Sequence, residues 1–76
     1  MKNIVILGST GTIGQNTLEV VRRDSKNFCV LGLACHFRRD ILFGQIKEFH
    51  PKYVYTEKED SSFEHDFPDI TFLYGD

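Results

Sequence analysis

The chain has 76 residues, of which 41% are hydrophobic and 26% charged, and its formal net charge is -2 at pH 7. These proportions are typical of a folded globular chain and exclude a disordered one, while the length allows one domain at most. Because there is no basic stripe, we expect no nucleic acid as a partner. No apolar run is long enough to cross a bilayer, so we expect no membrane association and a cytoplasmic location.

The chain opens with an apolar run of β-forming residues at positions 4–7, followed by glycines at 8, 11 and 14. This order predicts a buried parallel strand, a glycine turn and then a helix over Thr12–Arg23. The apolar stripe of that helix should consist of Ile13, Thr17, Leu18 and Val21. A strand, a glycine turn and a helix start are typical of a site that cradles a phosphate, although a glycine turn without a ligand is the alternative.

Each glycine of this turn has a physical role in such a cradle. Gly8 allows a tight turn after the strand, Gly11 leaves space for a pyrophosphate, and Gly14 allows the helix to pack close to the strand. The unpaired N–H groups of the first helical turn then point at the anion, where the helix dipole favours negative charge. Hydroxyl donors are expected from Ser9, Thr10 and Thr12.

A second apolar run, 28–35, predicts a second parallel strand, which a right-handed crossover places beside the first. Its carboxyl end should lie near the glycine turn, where a dinucleotide-binding sheet reads the adenosine ribose. Sheets that bind NAD usually have a carboxylate at this point. Here the chain reads His36, Phe37, Arg38 and Arg39. Because a guanidinium can grip a phosphate with two hydrogen bonds, we predict NADP instead. Alternatively, the arginines belong to a solvated helix start or pair with Asp40.

The rest of the chain continues the alternation of helices and strands. A second amphipathic helix is predicted over 40–49, ended by Pro51, with Gln45 on its water-facing side. Its apolar side should consist of Ile41, Leu42, Ile46 and Phe49. A third strand over 52–55, a charged loop over 56–60, a short helix over 61–67 and a fourth strand over 70–74 follow. The predicted fold class is α/β, a Rossmann-like parallel sheet with flanking helices.

Two cysteines and three histidines offer little further chemistry. Cys29 and Cys35 lie on one predicted strand, roughly 20 Å apart, which is beyond the reach of a disulfide. We expect both to be buried, inert thiols in a reducing compartment. The histidines are scattered singly, so we expect no metal site within the chain.

Three parts of the chain carry a resemblance to a known family: the glycine turn at 6–14, scattered positions between Thr17 and Val30, and the segment Gln-Ile-x-Glu-Phe-x-Pro-x-Tyr-Val at 45–54. Together they resemble the 1-deoxy-D-xylulose-5-phosphate reductoisomerase family. The resemblance covers most of residues 2–55. It implies that residues 1–76 are the amino-terminal part of a doubly wound NADPH-binding domain, with the catalytic and carboxyl-terminal domains absent. It also implies that the family's nucleotide contacts fall on Thr10, Gly11, Thr12 and Ile13.

At the end of the second strand the family usually has Gly, then a basic or small residue, then Asn. This chain has His36, Phe37 and Arg38 instead, so the resemblance leaves Arg38 or Arg39 to bind the 2′-phosphate. For the whole protein it implies conversion of 1-deoxy-D-xylulose 5-phosphate to 2-C-methyl-D-erythritol 4-phosphate in isoprenoid biosynthesis. It further implies a homodimer and a divalent metal, magnesium or manganese, with no ligands in this chain.

Two other hypotheses are compatible with the residues themselves. The same turn opens oxidoreductases of the short-chain dehydrogenase type, in which a Tyr-x-x-x-Lys motif follows downstream. The chain could also be a non-catalytic nucleotide-binding module. As part of a reductoisomerase, the 76 residues by themselves are expected to be inactive, because the catalytic residues are absent. We also expect the isolated chain to be poorly stable, because its sheet ends at an exposed strand edge; cooperative unfolding would favour the non-catalytic module.

Overall fold

A computed structural model describes residues 2–36, 38–57, 59 and 61–75 of the chain. Within these ranges, strands and helices alternate in the order β1 (Lys2–Leu7), α1 (Thr12–Arg23), β2 (Phe28–Ala34), α2 (Arg39–Phe49), β3 (Tyr53–Thr56), α3 (Ser61–Asp66) and β4 (Thr71–Tyr74). The strands form one sheet in the order β1-β2-β3-β4, and every neighbouring pair is parallel. The predicted α/β fold with a parallel sheet is confirmed.

The core lies between one face of the sheet and the three helices. Right-handed crossovers that join parallel strands in sequence order place all their helices on the same face. Ile6, Leu33 and Val54 are register neighbours across β1, β2 and β3 and are buried. The helices contribute Leu18, Val21, Leu42, Ile46 and Phe63 to the same cluster. This packing positions the amino ends of α1 and α2 at the carboxyl edge of the sheet.

The opposite face of the sheet is apolar but exposed. Its large side chains, between 41% and 78% exposed, are Val5, Leu7, Tyr53, Tyr55 and Leu73. A doubly wound sheet carries helices on both faces. In the described part of the chain the helices form a single layer, so the second layer of a doubly wound domain is incomplete there. No helix within the described ranges is long and apolar enough to cross a membrane.

The buried stripe of α1 contains two of its four predicted residues, Leu18 and Val21. Gly14, Leu18 and Val21 are buried, whereas Ile13 is 82% exposed and Thr17 is exposed. The helix approaches the turn with its glycine side, because only a residue without a side chain fits there. That approach turns the neighbouring Ile13 outward.

The second helix confirms its predicted apolar residues Leu42 and Ile46 and, on its predicted polar face, the exposed Lys47 and Glu48. Gln45 is only 8% exposed, so the prediction that it faces water is wrong. The helix ends at Phe49, and His50 follows in the left-handed conformation, with φ 49°, directly before Pro51.

The short helix α3 is anchored by aromatic packing. The Phe63 ring lies 6.1 Å from Phe43 and 6.3 Å from Phe72, measured between ring centroids, and Phe67 lies 5.3 Å from Phe43. Phe63 is 2% exposed. These contacts between α2, α3 and β4 explain why six residues, too few for a stable isolated helix, are helical here.

The two cysteines are free, and they differ in burial. Cys35 is buried as expected, but Cys29 is exposed, so the prediction of two buried thiols is wrong for Cys29. Cys29 is the register partner of the exposed Asn3, near the end of the sheet that is remote from the glycine turn.

Candidate functional site

The turn from β1 into α1 is fastened to the carboxyl end of β2. The N–H groups of Gly8 and Ser9 both donate to the carbonyl of Ala34, at 2.6 and 3.1 Å, and the N–H of Gly11 donates to the carbonyl of Gly8 at 3.0 Å. Gly8 has φ +67°, in the region that favours glycine. The tight turn at Gly8 and the proximity of β2 were both predicted, and the structure confirms them.

Gly14 and Gly11 differ in what the protein requires of them. A Cβ atom on Gly14 would lie 2.1 Å from the carbonyl oxygen of Gly8 and 2.7 Å from the Cα of Ser9, so no side chain fits between helix and turn. A Cβ on Gly11 would lie 3.4 Å from its nearest neighbour, and Gly11 has extended backbone angles. The fold therefore needs glycine at position 14 but tolerates a side chain at position 11.

The amino end of α1 has unused hydrogen-bond donors. Gly11 is the N-cap and provides no side-chain cap, and the first turn of the helix contains no acidic residue. The hydrogen bonds among the described residues do not use the N–H groups of Thr10, Thr12, Ile13 or Gly14. An uncapped helix start with free amides and without a carboxylate is suited to binding an anion.

The hydroxyl groups of the turn do not all face the same way. Ser9 is fully buried and Thr10 is 5% exposed. Burial raises the pKa of the nearby Cys35 thiol, and the neighbouring Thr10 and Ser9 side chains and the Arg38 backbone oppose the rise. The Ser9 Oγ has no hydrogen-bond partner among the described residues. Of the three predicted hydroxyl donors, only Thr12 is exposed at the helix start. The side chains of Ser9 and Thr10 are instead buried.

Two glutamine side chains hold the carbonyl groups of the turn. Gln15 Nε2 donates to the carbonyl of Thr10 at 2.8 Å, and Gln45 Nε2 donates to the carbonyl of Ser9 at 2.7 Å. Gln45 belongs to α2 and reaches the turn across the space between the two helices. Sequence reasoning missed this contact, although Gln45 directly precedes the buried Ile46 and follows Leu42 by three positions, which is the spacing of one helix face.

A cavity of about 230 Å³ opens at the carboxyl edge of β1, β2 and β3. Its lining consists of Gly8, Ala34, Cys35, His36, Tyr55 and Glu57. His36 Nδ1 lies 2.6 Å from Glu57 Oε1, and both side chains are solvent-exposed. The predicted site residue Phe37 lies outside the described residues. The cavity adjoins the glycine turn, so the structure brings the two predicted halves of the site together.

The two predicted phosphate-binding arginines have different surroundings. Arg39 donates a hydrogen bond to the hydroxyl of Ser62, and its guanidinium lies 5.2 Å from the centroid of the Phe63 ring. Arg38 is the exposed N-cap residue of α2, and its guanidinium forms no ion pair within the described ranges. Neither arginine is paired with Asp40 there. Arg38 is thus the candidate for binding a phosphate, and Arg39 joins α2 to α3.

Three comparisons with known proteins agree with this geometry. The family described as 1-deoxy-D-xylulose 5-phosphate reductoisomerase matches residues 4–67. A reductoisomerase of this name from Thermodesulfovibrio yellowstonii is 59% identical over 54 residues, which cover 71% of this chain and 14% of that protein. Its counterpart from Chlamydia caviae is 43% identical over 79 residues, which cover 100% of this chain and 21% of that protein.

The solved structures give the same result. A crystal structure of DOX-P reductoisomerase in complex with NADPH, fosmidomycin and magnesium aligns with a TM-score of 0.89 and 31% identity, over 100% of this chain and 20% of that one. The chain therefore spans about a fifth or less of the length of these relatives. Because the family match extends over most of the chain and includes both the glycine turn and the 45–54 segment, the chain belongs to the 1-deoxy-D-xylulose 5-phosphate reductoisomerase family.

Proposed function

We propose that this chain holds the pyrophosphate and adenosine parts of NADPH for a protein that converts 1-deoxy-D-xylulose 5-phosphate to 2-C-methyl-D-erythritol 4-phosphate. The family relationship supports the reaction, and the glycine turn supports the assignment of cofactor binding to this chain. When bound, NADPH would supply the hydride for the reduction. The residues of this chain would bind and orient the cofactor.

The observation that carries the proposal is the set of unused amides at the start of α1. Thr12, Ile13 and Gly14 present N–H groups with no acceptor among the described residues, and the helix dipole adds a partial positive charge at the same point. The fold itself does not require glycine at position 11, so a ligand that must approach the backbone closely is the reason for its absent side chain. A pyrophosphate has the charge and the size that this arrangement fits.

The adenosine end of NADPH is assigned to the neighbouring cavity. Its volume of about 230 Å³ and its lining by Ala34, His36 and Tyr55 combine apolar surface with polar groups. Arg38, two positions after His36 in the sequence, would bind the 2′-phosphate through charge-assisted hydrogen bonds. We therefore retain Arg38 and not Arg39 as the group that distinguishes NADPH from NADH.

The remaining chemistry is assigned to residues outside this chain. The described residues contain no group of three or more His, Cys, Asp or Glu side chains that could hold a metal ion. The magnesium or manganese ion that the family relationship implies would therefore be bound elsewhere, together with the substrate phosphate. The proposal includes a cytoplasmic homodimer, which light scattering on the purified complete protein would test.

A cofactor and substrate titration of the complete protein tests this function. We expect calorimetry to show NADPH binding that is tighter than NADH binding, and NADPH oxidation only when 1-deoxy-D-xylulose 5-phosphate and magnesium are both present. Absence of NADPH binding would contradict the proposal. Binding without turnover would instead favour a non-catalytic nucleotide-binding module.

A further inference from the structure

The Gln45 side chain is a polar group in a buried position that the proposed contacts with NADPH do not use. It is 8% exposed, its Nε2 donates to the carbonyl of Ser9, and its Oε1 has no hydrogen-bond partner among the described residues. A buried acceptor without a partner costs stability, so an apolar side chain of the same length would suit the packing at least as well. The hydrogen bond to the turn is what an apolar residue could not provide.

That hydrogen bond orients one particular peptide group. In a trans peptide the carbonyl and the following N–H point in opposite directions, and the chain has no cis peptide within the described ranges. With the carbonyl of Ser9 held toward α2, the N–H of Thr10 points away from α2. No described residue accepts a hydrogen bond from it.

The Thr10 amide is unusual for a nearly buried residue. Thr10 as a whole residue is 5% exposed, and the backbone amides of such residues are nearly always paired with an acceptor. A phosphate oxygen of a bound dinucleotide would supply the acceptor that the protein does not. Building on the function proposed above, we infer that Gln45 is a positioning residue, whose side-chain amide holds the Ser9–Thr10 peptide so that the Thr10 N–H is presented to the pyrophosphate of NADPH.

Gln15 provides a matched comparison. It also donates to a carbonyl of the turn, that of Thr10, but the N–H on the far side of that peptide, from Gly11, already donates to the carbonyl of Gly8. Loss of the Gln15 hydrogen bond therefore frees the Thr10–Gly11 peptide, whose N–H is already bonded within the turn and is not available to the ligand. The two glutamines resemble each other in chemistry and differ in what they hold.

The test compares Gln45→Met with Gln15→Met in the complete protein. Methionine is close to glutamine in length and flexibility but has no amide group, so it removes the hydrogen bond with little change in packing. We expect Gln45→Met to weaken NADPH binding about tenfold, and Gln15→Met to weaken it much less. The melting temperature of Gln45→Met should stay within a few degrees of the wild type.

A truncated ligand separates a positioning role from a structural one. Adenosine 2′-monophosphate has the adenine, the ribose and the 2′-phosphate but lacks the pyrophosphate. Its affinity should be the same for wild type and Gln45→Met, whereas a general distortion of the site would weaken both ligands. Equal NADPH affinity in wild type and Gln45→Met, or equal losses for both ligands, would overturn the inference.

Hydrogen exchange on the wild-type protein gives a second readout that does not depend on whether the variant folds. NADPH should slow exchange of the Thr10 amide, and adenosine 2′-monophosphate should leave it unchanged. Unchanged exchange with saturating NADPH would also overturn the inference. If the wild-type protein bound no NADPH, the proposed function would fail instead, so the two failures are distinguishable.

Discussion

The two strand-to-helix connections at the carboxyl edge of the sheet are built by different means. The first, at residues 8–11, is held mainly by backbone hydrogen bonds, while Gly8 permits its conformation and Gly14 the close approach of α1. The side chains of Gln15 and Gln45 add one hydrogen bond each to its carbonyls. The second, at residues 35–38, depends on side chains: the Cys35 thiol under the turn, the His36–Glu57 pair and the exposed Arg38. The half of the site that is held mainly by the backbone can therefore be recognised from a short sequence pattern. The half that is built from side chains can be recognised only when the residues that surround it in the fold are known.

The largest effect is expected where the first connection is packed most tightly. In Gly14→Ala the new Cβ would overlap the backbone of Gly8 and Ser9, so we expect a loss of about 3 kcal/mol in unfolding free energy. Urea denaturation of the complete protein measures it. Gly44→Ala is the matched control, since a Cβ there meets nothing within 4 Å and the helix should gain about 0.5–1 kcal/mol. Equal stability of the two variants would contradict the close packing of helix and turn.

The next effect concerns the ligand and not the fold. A Cβ fits at position 11 and the backbone angles there are extended, so we expect Gly11→Val to fold. Its branched side chain would occupy the space in front of the free amides, and NADPH binding should weaken about a hundredfold, or about 2.7 kcal/mol. Calorimetry gives the affinity and a thermal melt gives the stability. Unchanged affinity would mean that the pyrophosphate does not approach Gly11.

A smaller effect should separate the arginines of the second connection. Arg38→Gln should reduce the preference for NADPH over NADH about tenfold, because a charge-assisted hydrogen bond to the 2′-phosphate is lost. Arg39→Gln should leave that preference unchanged and lower stability by about 0.5–1 kcal/mol through the lost contact with Phe63. The affinities of each variant for NADPH and for NADH measure this preference. A preference that survives Arg38→Gln would assign the 2′-phosphate to another group.

The smallest effect is expected at the far ends of the two helices, where the connections have no influence. Arg22 of α1 donates to both carboxylate oxygens of Glu48 in α2, and the Nη2–Oε1 distance is 2.7 Å. The hydrogen bonds from Arg22 lower the pKa of the Glu48 carboxyl from its ordinary value of 4.5, against the opposing effect of burial. The unfolded chain therefore binds the proton more readily than the folded one.

Because the pKa is lower in the folded state, the contribution of Glu48 to the free energy of unfolding is present above about pH 4.5. It is lost as the pH falls through the lowered pKa. Glu48→Gln should destabilise the protein slightly at pH 7, and the difference from wild type should vanish at strongly acidic pH. The side chains are 46% and 40% exposed, so solvent keeps the effect small. Glu64→Gln, at an exposed position of α3, is the control. A difference that persists at acidic pH would show that the ion pair is not its origin.

Most of the fold could be predicted from periodicity alone. All seven elements were expected, because apolar runs, helical spacing and Pro51 act locally. Six of them end within one residue of the prediction, and β1 begins two residues before the predicted start at position 4. The errors arose where packing overrides the helical wheel. Ile13 is exposed because Gly14 presents the glycine side of α1 to the turn, and Gln45 is buried because the turn lies above it.

The candidate site also combines features that the local sequence determines with features that depend on distant residues. The sequence by itself determined the glycine turn, its place at the end of a parallel strand and the free amides of α1, since glycine spacing and an uncapped helix start are local properties. Only the tertiary structure decided that Ser9 and Thr10 are buried, that Arg39 packs on Phe63 while Arg38 stays exposed, and that Gln45 reaches the carbonyl of Ser9. These contacts join residues up to 36 positions apart, and no local pattern records a partner that distant.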